Sequence, residues 1–136
     1  MTTPAAPASP HAFDLQRLLA HVAGLAPIKV AVVHPCDGPS LGGALDARNA
    51  GLIDPVLVGP RARIEAAATA AGLDLAGVAI EDAPHSHAAA ARGAELACAG
   101  EVEALMKGSL HTDELMAAVV ARESGLRTKR RVSHCF

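Results

Sequence analysis

The sequence contains no tryptophan, no tyrosine and only two phenylalanines among its 136 residues. Without large aromatic side chains, a core has to be built from leucine, valine, isoleucine and alanine, and 51% of the residues are hydrophobic. A chain of this length fits one domain, which buries roughly two thirds of the surface that its unfolded form exposes. The composition therefore predicts a soluble globular domain in which helices pack on a parallel sheet.

Charge, cysteine pairs and long apolar runs are also scarce. The net charge is only −2, so bulk electrostatics indicate neither a nucleic-acid nor a membrane partner. Cys36, Cys98 and Cys135 form no C-x-x-C motif, and we expect reduced thiols in a cytoplasm rather than disulfides or a metal site. No apolar run approaches the ~20 residues of a membrane span. The proline-rich stretch 1–12 is interpreted as a flexible leader, not as a signal peptide.

Helical and strand-like hydrophobic spacing alternate along the rest of the chain. Apolar residues at helical spacing from Phe13 to Leu25 predict a first helix. Apolar runs predict strands at 28–34, 55–59, 77–82, from Val102, and in the final RVSHCF. The intervening helices are predicted to begin at Ser40, Pro60, Ser86 and Thr112, and to end near Gly51, Gly72, Gly100 and Ser124. This order predicts a three-layer α/β fold with a mostly parallel sheet.

The final apolar run reaches Phe136 without a turn or a polar tail. Natural termini usually lie in exposed segments. We therefore expect residues 13–136 to be the N-terminal α/β domain of a longer protein, and we expect this chain alone to be inactive.

Two predicted strand ends carry polar residues that could bind a ligand, HPCDGPS (34–40) and KGSLHT (107–112). Neither is a nucleotide-binding fingerprint. In KGSLHT, Gly108 would let the backbone approach a ligand closely, and Ser109, His111 and Thr112 offer donors beside a helix N-terminus. That combination suits a phosphate or a thioester carbonyl. The alternative is a Gly-Ser turn with a threonine N-cap, and the residues alone favour that alternative.

Other candidates also have a functional and a structural interpretation. Cys36 follows a strand and has His34 nearby, but a buried, unreactive thiol is the favoured interpretation, and His34 is taken as an ordinary loop histidine. RTKRR (127–131) could contact phosphates, or it could be a solvated connecting loop. His85 and His87 lack the acidic or thiol partners of a metal site.

Three segments resemble the phosphate acetyltransferase and phosphate butyryltransferase family. They are VAVVHPCDGPSLGGALDARNAGLIDPVLVGP (30–60), ALMKGSLHTDELMAAVV (104–120) and GLRTKRRVSHCF (125–136). The resemblance is closest to the form that is fused to an enoyl-CoA hydratase. It implies an isocitrate/isopropylmalate-dehydrogenase-like α/β architecture, with two domains around a cleft, and a homodimer.

The reaction that the resemblance implies is acyl phosphate + CoA ⇌ acyl-CoA + phosphate, with acetyl or butyryl as the acyl group. CoA is a substrate, no cofactor or metal stays bound, and the catalytic residues lie beyond residue 136. By this resemblance Gly108, Ser109, His111 and Thr112 line the cleft and bind substrate. Arg127, Lys129 and Arg130 are candidates for binding phosphate or CoA. The alternative is a non-catalytic α/β binding or scaffold fragment that keeps the fold without the chemistry.

Overall fold

The computed structural model describes residues 14–135; the predicted leader at 1–12, Phe13 and Phe136 lie outside the described residues. Within them, four strands alternate with helices. The strands are β1 (Ile28–Val33), β2 (Ile53–Gly59), β3 (Ala79–Asp82) and β4 (Ala104–Lys107). The helices are α1 (Leu15–Val22), α2 (Gly38–Asn49), α3 (Arg61–Ala71), α4 (Ser86–Cys98) and α5 (Thr112–Val120), and a 3-10 turn covers Arg122–Ser124.

The sheet has the strand order β3-β2-β1-β4, and every neighbouring pair is parallel. β1 is central: it pairs with β2 from Ile28↔Ile53 to Val33↔Val58, and with β4 from Val30↔Ala104 to Val33↔Lys107. Residues 30–33 of β1 are buried, as expected for a strand that is covered on both faces. The predicted α/β fold with a parallel sheet is confirmed.

Side chains of β1 alternate between two hydrophobic clusters. Ala31 and Val33 belong to the cluster that includes residues of α4 and α5, whereas Val30 and Val32 belong to the cluster that includes residues of α2 and α3. On the α4 side Gly93 permits a close approach to the sheet, because a Cβ atom there would lie 2.9 Å from Cγ2 of Val33. Helices therefore cover both faces of the sheet.

Helices α4 and α5 begin at Ser86 and Thr112 as predicted, but three predicted N-caps are displaced. The N-caps are Asp37, His85 and His111 rather than Ser40, Ser86 and Thr112. The Asp37 carboxylate accepts the Ser40 N–H at 2.8 Å, and Nδ1 of His85 accepts the Ala88 N–H at 3.1 Å. In both cases an acceptor earlier in the chain takes the role that the sequence pattern gave to serine.

The two ends of the described chain differ most from the prediction. Residues 131–135 are exposed and form no strand, so the predicted fifth strand is wrong within the described residues; neither edge strand of the sheet pairs with them. The last helix ends at Val120 rather than near Ser124. α1 begins at Leu15 and buries none of its residues, although Leu15 and Leu18 lie on an apolar face. Within 14–135, no helix is both long and apolar enough to cross a membrane.

Candidate functional site

The segments that follow β1 and β4 lie side by side at the carboxyl end of the sheet. The Gly108 N–H donates to the carbonyl oxygen of Val33, and the Ser109 N–H donates to that of His34, each at 2.8 Å. Ligands of open α/β sheets bind outside the carboxyl ends of the strands. We call residues 34–40 together with 107–112 the carboxyl-end cluster. The fold brings the two polar segments singled out in the sequence together there.

The lack of a side chain at Gly108 allows the loop after β4 to lie directly against the end of β1. A Cβ atom at this position would lie 2.6 Å from the carbonyl oxygen of His34, 2.7 Å from its carbonyl carbon, and closer still to the carbonyl oxygen of Val33. The sequence interpretation placed a ligand against this glycine, whereas the structure places the end of β1 there. Contact between Gly108 and a substrate stays a prediction.

Ser109 joins the two segments through its side chain. Its Oγ donates to the carbonyl oxygen of His34 at 2.8 Å and accepts the backbone N–H of Cys36 at 3.0 Å. The same oxygen lies 3.4 Å from Nδ1 of His34. Ser109 is therefore engaged by the segment after β1, and these contacts hold the KGSLHT loop against that segment.

His34 is buried, not an ordinary loop histidine as the sequence suggested. The residue is 4% exposed, its φ is 54°, and its Nε2 has no hydrogen-bond partner among residues 14–135. The His34 N–H extends the pairing of β1 with β2, donating to the carbonyl oxygen of Val58 at 2.7 Å. Sequence reasoning missed its burial, although His34 directly follows the buried strand.

Lys107 is a second residue that sequence reasoning passed over. Its Nζ donates to the carbonyl oxygens of Leu110 at 2.6 Å and Gly108 at 3.1 Å. Carbonyl oxygens are neutral, so these bonds orient the ammonium without cancelling its charge. The pKa of Asp37 is lowered mainly by hydrogen bonds from Ser40, and also by the nearby charge of Lys107. The available signal was the position of Lys107 as the first residue of KGSLHT, at a strand end.

His111 and Thr112 open α5, and the side chain that organises this turn is Glu114. The Glu114 carboxylate accepts the His111 N–H at 3.1 Å, the Ser86 hydroxyl at 2.8 Å, and lies 2.9 Å from Nδ1 of His87. The Ser86 bond is the largest cause that lowers the pKa of Glu114, followed by the His111 N–H. Glu114 therefore links the first turns of α4 and α5 while His111 and Thr112 remain exposed.

Residues 14–135 contain no group of three or more His, Cys, Asp or Glu placed to hold a metal ion.

Cys36 is half-buried, and that burial is the main cause that raises the pKa of its thiol. Arg63 acts in the opposite direction, and Asp37 raises the pKa further. A raised pKa reduces the thiolate fraction at neutral pH, whereas a nucleophilic cysteine needs more thiolate. The contact that Cys36 makes with Ser109 is through its backbone N–H.

The basic segment is not part of this cluster. Arg127, Lys129 and Arg130 line a surface recess together with Val120, the last residue of α5. The KGSLHT loop leads into the other end of the same helix, which begins at Thr112. Helix α5 is nine residues long, so its two ends are roughly 13 Å apart. The structure therefore does not bring these cations to Gly108, Ser109, His111 and Thr112, and their role in binding phosphate or CoA stays a prediction.

Comparison with known proteins finds clear relatives, although no family model matches the chain. It is 53% identical over 130 residues to the phosphate acetyltransferase of Rhizobium meliloti, covering 96% of this chain and 40% of the relative. It is 54% identical over 119 residues to that of Rickettsia typhi, covering 88% of this chain and 34% of the relative. It is 35% identical over 106 residues to the phosphate butyryltransferase of Clostridium acetobutylicum, covering 78% and 35%. The chain thus spans between a third and two fifths of the length of these relatives.

Among solved structures, the fold is similar to that of EutD phosphotransacetylase from Staphylococcus aureus. The TM-score is 0.64 at 16% sequence identity, and the match covers 87% of this chain and 43% of that chain. At this identity the likeness concerns the fold alone.

Proposed function

Because this chain is a partial-length homologue of the phosphate acetyltransferase and phosphate butyryltransferase family, we propose that it forms one wall of a phosphate acyltransferase cleft. The observation that carries the proposal is the 53% identity over 130 residues to a phosphate acetyltransferase. The carboxyl-end cluster supports it, because two loops with donors and a lysine converge where ligands bind in open α/β sheets.

The acyl group in this proposal is acetyl. Relatives named phosphate acetyltransferase are 50–54% identical to the chain, whereas those named phosphate butyryltransferase are 30–35% identical. The first group is therefore more similar to this chain over the matched length. Acyl-chain preference within the family is a property of the whole cleft, so an assay has to compare both substrates.

The proposed reaction transfers the acetyl group from phosphate to CoA. The CoA sulfur forms a bond to the carbonyl carbon of acetyl phosphate, and the bond from that carbon to the phosphate oxygen breaks. In the net reaction the released phosphate takes up the thiol proton. His111 and Thr112, exposed at the start of α5, bind substrate, while Gly108 and Ser109 fix the loop that carries them. The catalytic groups are supplied by the part of the relatives that this chain does not match.

The larger assembly is part of the proposal. The resemblance implies an isocitrate/isopropylmalate-dehydrogenase-like enzyme of two domains, with residues 13–136 in the first, acting as a homodimer in the cytoplasm. In that arrangement Arg127, Lys129 and Arg130 contact the phosphates of CoA across the cleft. Four basic residues in five positions, at 127 and 129–131, suit a polyanionic substrate better than a neutral one.

The test replaces the matching segment of the Rhizobium meliloti enzyme with this chain. We expect the chimera to form acetyl-CoA from acetyl phosphate and CoA, followed by thioester absorbance, and to use butyryl phosphate less well. We expect the 136-residue chain alone to show no turnover. The matched control is a chimera carrying Thr112→Val, which keeps the shape of the side chain and removes its hydroxyl. A folded chimera without turnover would overturn the proposal.

A non-catalytic scaffold is the second candidate, and one observation favours it. Ser109 and Glu114 are engaged by other parts of the chain, so the cluster is held together without any ligand. Titrating the 136-residue chain with CoA separates the two candidates. Chemical-shift changes at the carboxyl-end cluster support the enzyme, whereas no binding together with an inactive chimera supports the scaffold.

A further inference from the structure

The hydrogen bonds of Ser109 bear on which nitrogen of the His34 ring carries the hydrogen. A serine hydroxyl has one hydrogen and two acceptor lone pairs. Oγ accepts the Cys36 N–H at 3.0 Å. Its own hydrogen can go to the His34 carbonyl oxygen at 2.8 Å, which also accepts the N–H groups of Cys36 and Ser109, or to Nδ1 of His34 at 3.4 Å. In the first arrangement Oγ accepts from the ring, and Nδ1 carries the hydrogen of the neutral imidazole.

The surroundings of Nε2 agree with this assignment. Nε2 is buried and has no hydrogen-bond partner among residues 14–135. A hydrogen on Nε2 would be a buried donor without an acceptor, and a hydrogen on both nitrogens would add a buried charge. With the hydrogen on Nδ1, the ring uses its donor on Ser109 and leaves only a lone pair without a partner.

The backbone at His34 places the ring across three strand ends. Its φ of 54° lies in the left-handed region, which residues other than glycine, asparagine, aspartate and histidine rarely adopt. On one side the ring reaches Ser109, after β4. On the other side lies Gly59, the last residue of β2, where a Cβ atom would be 3.4 Å from the Cα and 3.8 Å from the Cδ2 of His34. These are ordinary contact distances, so the ring lies directly beside the end of β2.

We propose that His34 is a positioning residue: held as the Nδ1–H tautomer, it acts through Ser109 to fix the KGSLHT loop in the conformation that presents His111 and Thr112. The identity of the ligand that this loop binds rests on the proposed acyltransferase function. The contact between the His34 ring and Ser109 does not depend on that function, so the contact and the function can be tested separately.

Three substitutions isolate the contact. His34→Asn keeps an amide N–H where Nδ1–H lies and tolerates a left-handed backbone. His34→Leu keeps apolar bulk but removes the donor. Ser109→Ala removes the acceptor and leaves the ring in place. Leucine lacks the donor and also strains a left-handed backbone, whereas Ser109→Ala leaves the backbone of His34 unchanged. A loss in His34→Leu is therefore assigned to the contact only where Ser109→Ala shows it as well.

The experiment uses the 136-residue chain in solution. Long-range proton–nitrogen spectra of the ring at pH ~8, above the ordinary titration range of histidine, should show His34 with its hydrogen on Nδ1. Ser109→Ala should abolish that preference. In His34→Leu, hydrogen exchange of the Cys36 and Ser109 N–H groups should speed up by about tenfold, the scale of one net hydrogen bond. His34→Asn should keep both exchange rates close to those of the original chain.

CoA titration of the same variants gives the functional readout. His34→Leu should weaken the shifts of the His111 and Thr112 amides, and His34→Asn should preserve them. A hydrogen on Nε2 in the original chain, or unchanged exchange in His34→Leu, would overturn the positioning role. If the original chain binds no CoA and the chimera is inactive, the proposed function fails, and the tautomer and the asparagine rescue still decide the role of His34.

Discussion

Two glycines show how differently the same residue type is used. Gly108 has carbonyl groups of β1 and its extension where a Cβ atom would be, and backbone atoms cannot move aside as a flexible side chain can. We predict that Gly108→Ala lowers the free energy of unfolding by roughly 1–3 kcal/mol, the usual cost of overpacking. Chemical denaturation of the purified chain measures this.

Gly43 is the matched control, because it lies in α2 and a Cβ atom there would have no neighbouring atom within 4 Å. Gly43→Ala should raise the free energy of unfolding by about 0.5–1 kcal/mol, since alanine has the higher helix propensity. If Gly108→Ala were as stable as Gly43→Ala, the ends of β1 and β4 would have to lie further apart in solution than they do here.

Cysteine reactivity provides a second prediction for single residues. Cys98 and Cys135 are exposed, whereas Cys36 is half-buried and its burial raises the pKa of the thiol. Because the thiolate is the reactive form, we predict that iodoacetamide at pH ~7.5 modifies Cys36 last. Mass spectrometry of digested peptides over time gives the order. Cys36→Ala should retain two reactive thiols, and a chain in which Cys36 reacts first would contradict the prediction.

Residue chemistry limited what the sequence could predict about the site. Ser109, His111 and Thr112 were identifiable because hydroxyls and histidines after a strand mark a polar turn. The burial of His34 was not, because its neighbours include the end of β2 at Gly59 and Ser109, which is 75 residues away. The sequence also did not show that the backbone of Val33 and His34 lies against Gly108. A close approach requires glycine whether the neighbouring surface is a ligand or a backbone, so the glycine alone does not distinguish the two.

Among the helices, α2 offers a test of its N-cap. Asp37 accepts the Ser40 N–H, and hydrogen bonds from Ser40 are the main cause that lowers the pKa of this carboxyl. Asp37→Ala should lower the free energy of unfolding at pH 7 by about 1 kcal/mol, within the ~0.5–2 kcal/mol seen for such caps. Asp37→Asn should stay close to the original chain, because asparagine caps helices as well as aspartate.

The pH dependence separates the charge from the cap. The pKa of Asp37 is lower in the folded chain than its ordinary value of 3.8. Its contribution is therefore present above pH 3.8 and is lost as the pH falls through the folded pKa. Between pH 7 and ~3, the original chain should lose more stability than Asp37→Asn, because the other carboxyls are common to both. Equal losses would show that Asp37 does not contribute through its charge.

At the element scale, periodicity predicted the buried strands better than the helix ends or the exposed segments. β1 was predictable because a strand covered on both faces is a continuous apolar run. Two cap positions were displaced because the side chains of Asp37 and His85 accepted N–H groups that the pattern assigned to serine. At α5 the N-cap is His111, whose N–H donates to Glu114. RVSHCF has the composition of a strand, but a strand needs a neighbour, and residues 131–135 have none in the sheet.

For the molecule as a whole, the parallel sheet places the site. The sequence predicted which strand ends carry polar residues, and it predicted that the strands run parallel. It did not predict that β4 lies next to β1, which follows from the order β3-β2-β1-β4. That adjacency unites HPCDGPS with KGSLHT. Arg127 and its neighbours follow α5 and line a recess with Val120, the last residue of that helix, so they are separate from this site.

The side-chain bond between Ser109 and the His34 carbonyl oxygen closes a loop of 75 residues, and this length bears on when the bond forms during folding. β2 and β3 pair between positions much nearer in the chain, such as Val56 with Ala79. Long loops cost more entropy to close and are slow to form. We predict that this bond forms after the folding barrier, so that Ser109→Ala speeds unfolding while leaving the folding rate nearly unchanged. Stopped-flow folding and unfolding in urea gives both rates, and a slower folding rate with unchanged unfolding would mean that β1 and β4 meet early. If they meet late, β4 is also the first strand to leave when the chain opens, and the lifetime of the assembled cluster is the time for which β4 stays paired with β1.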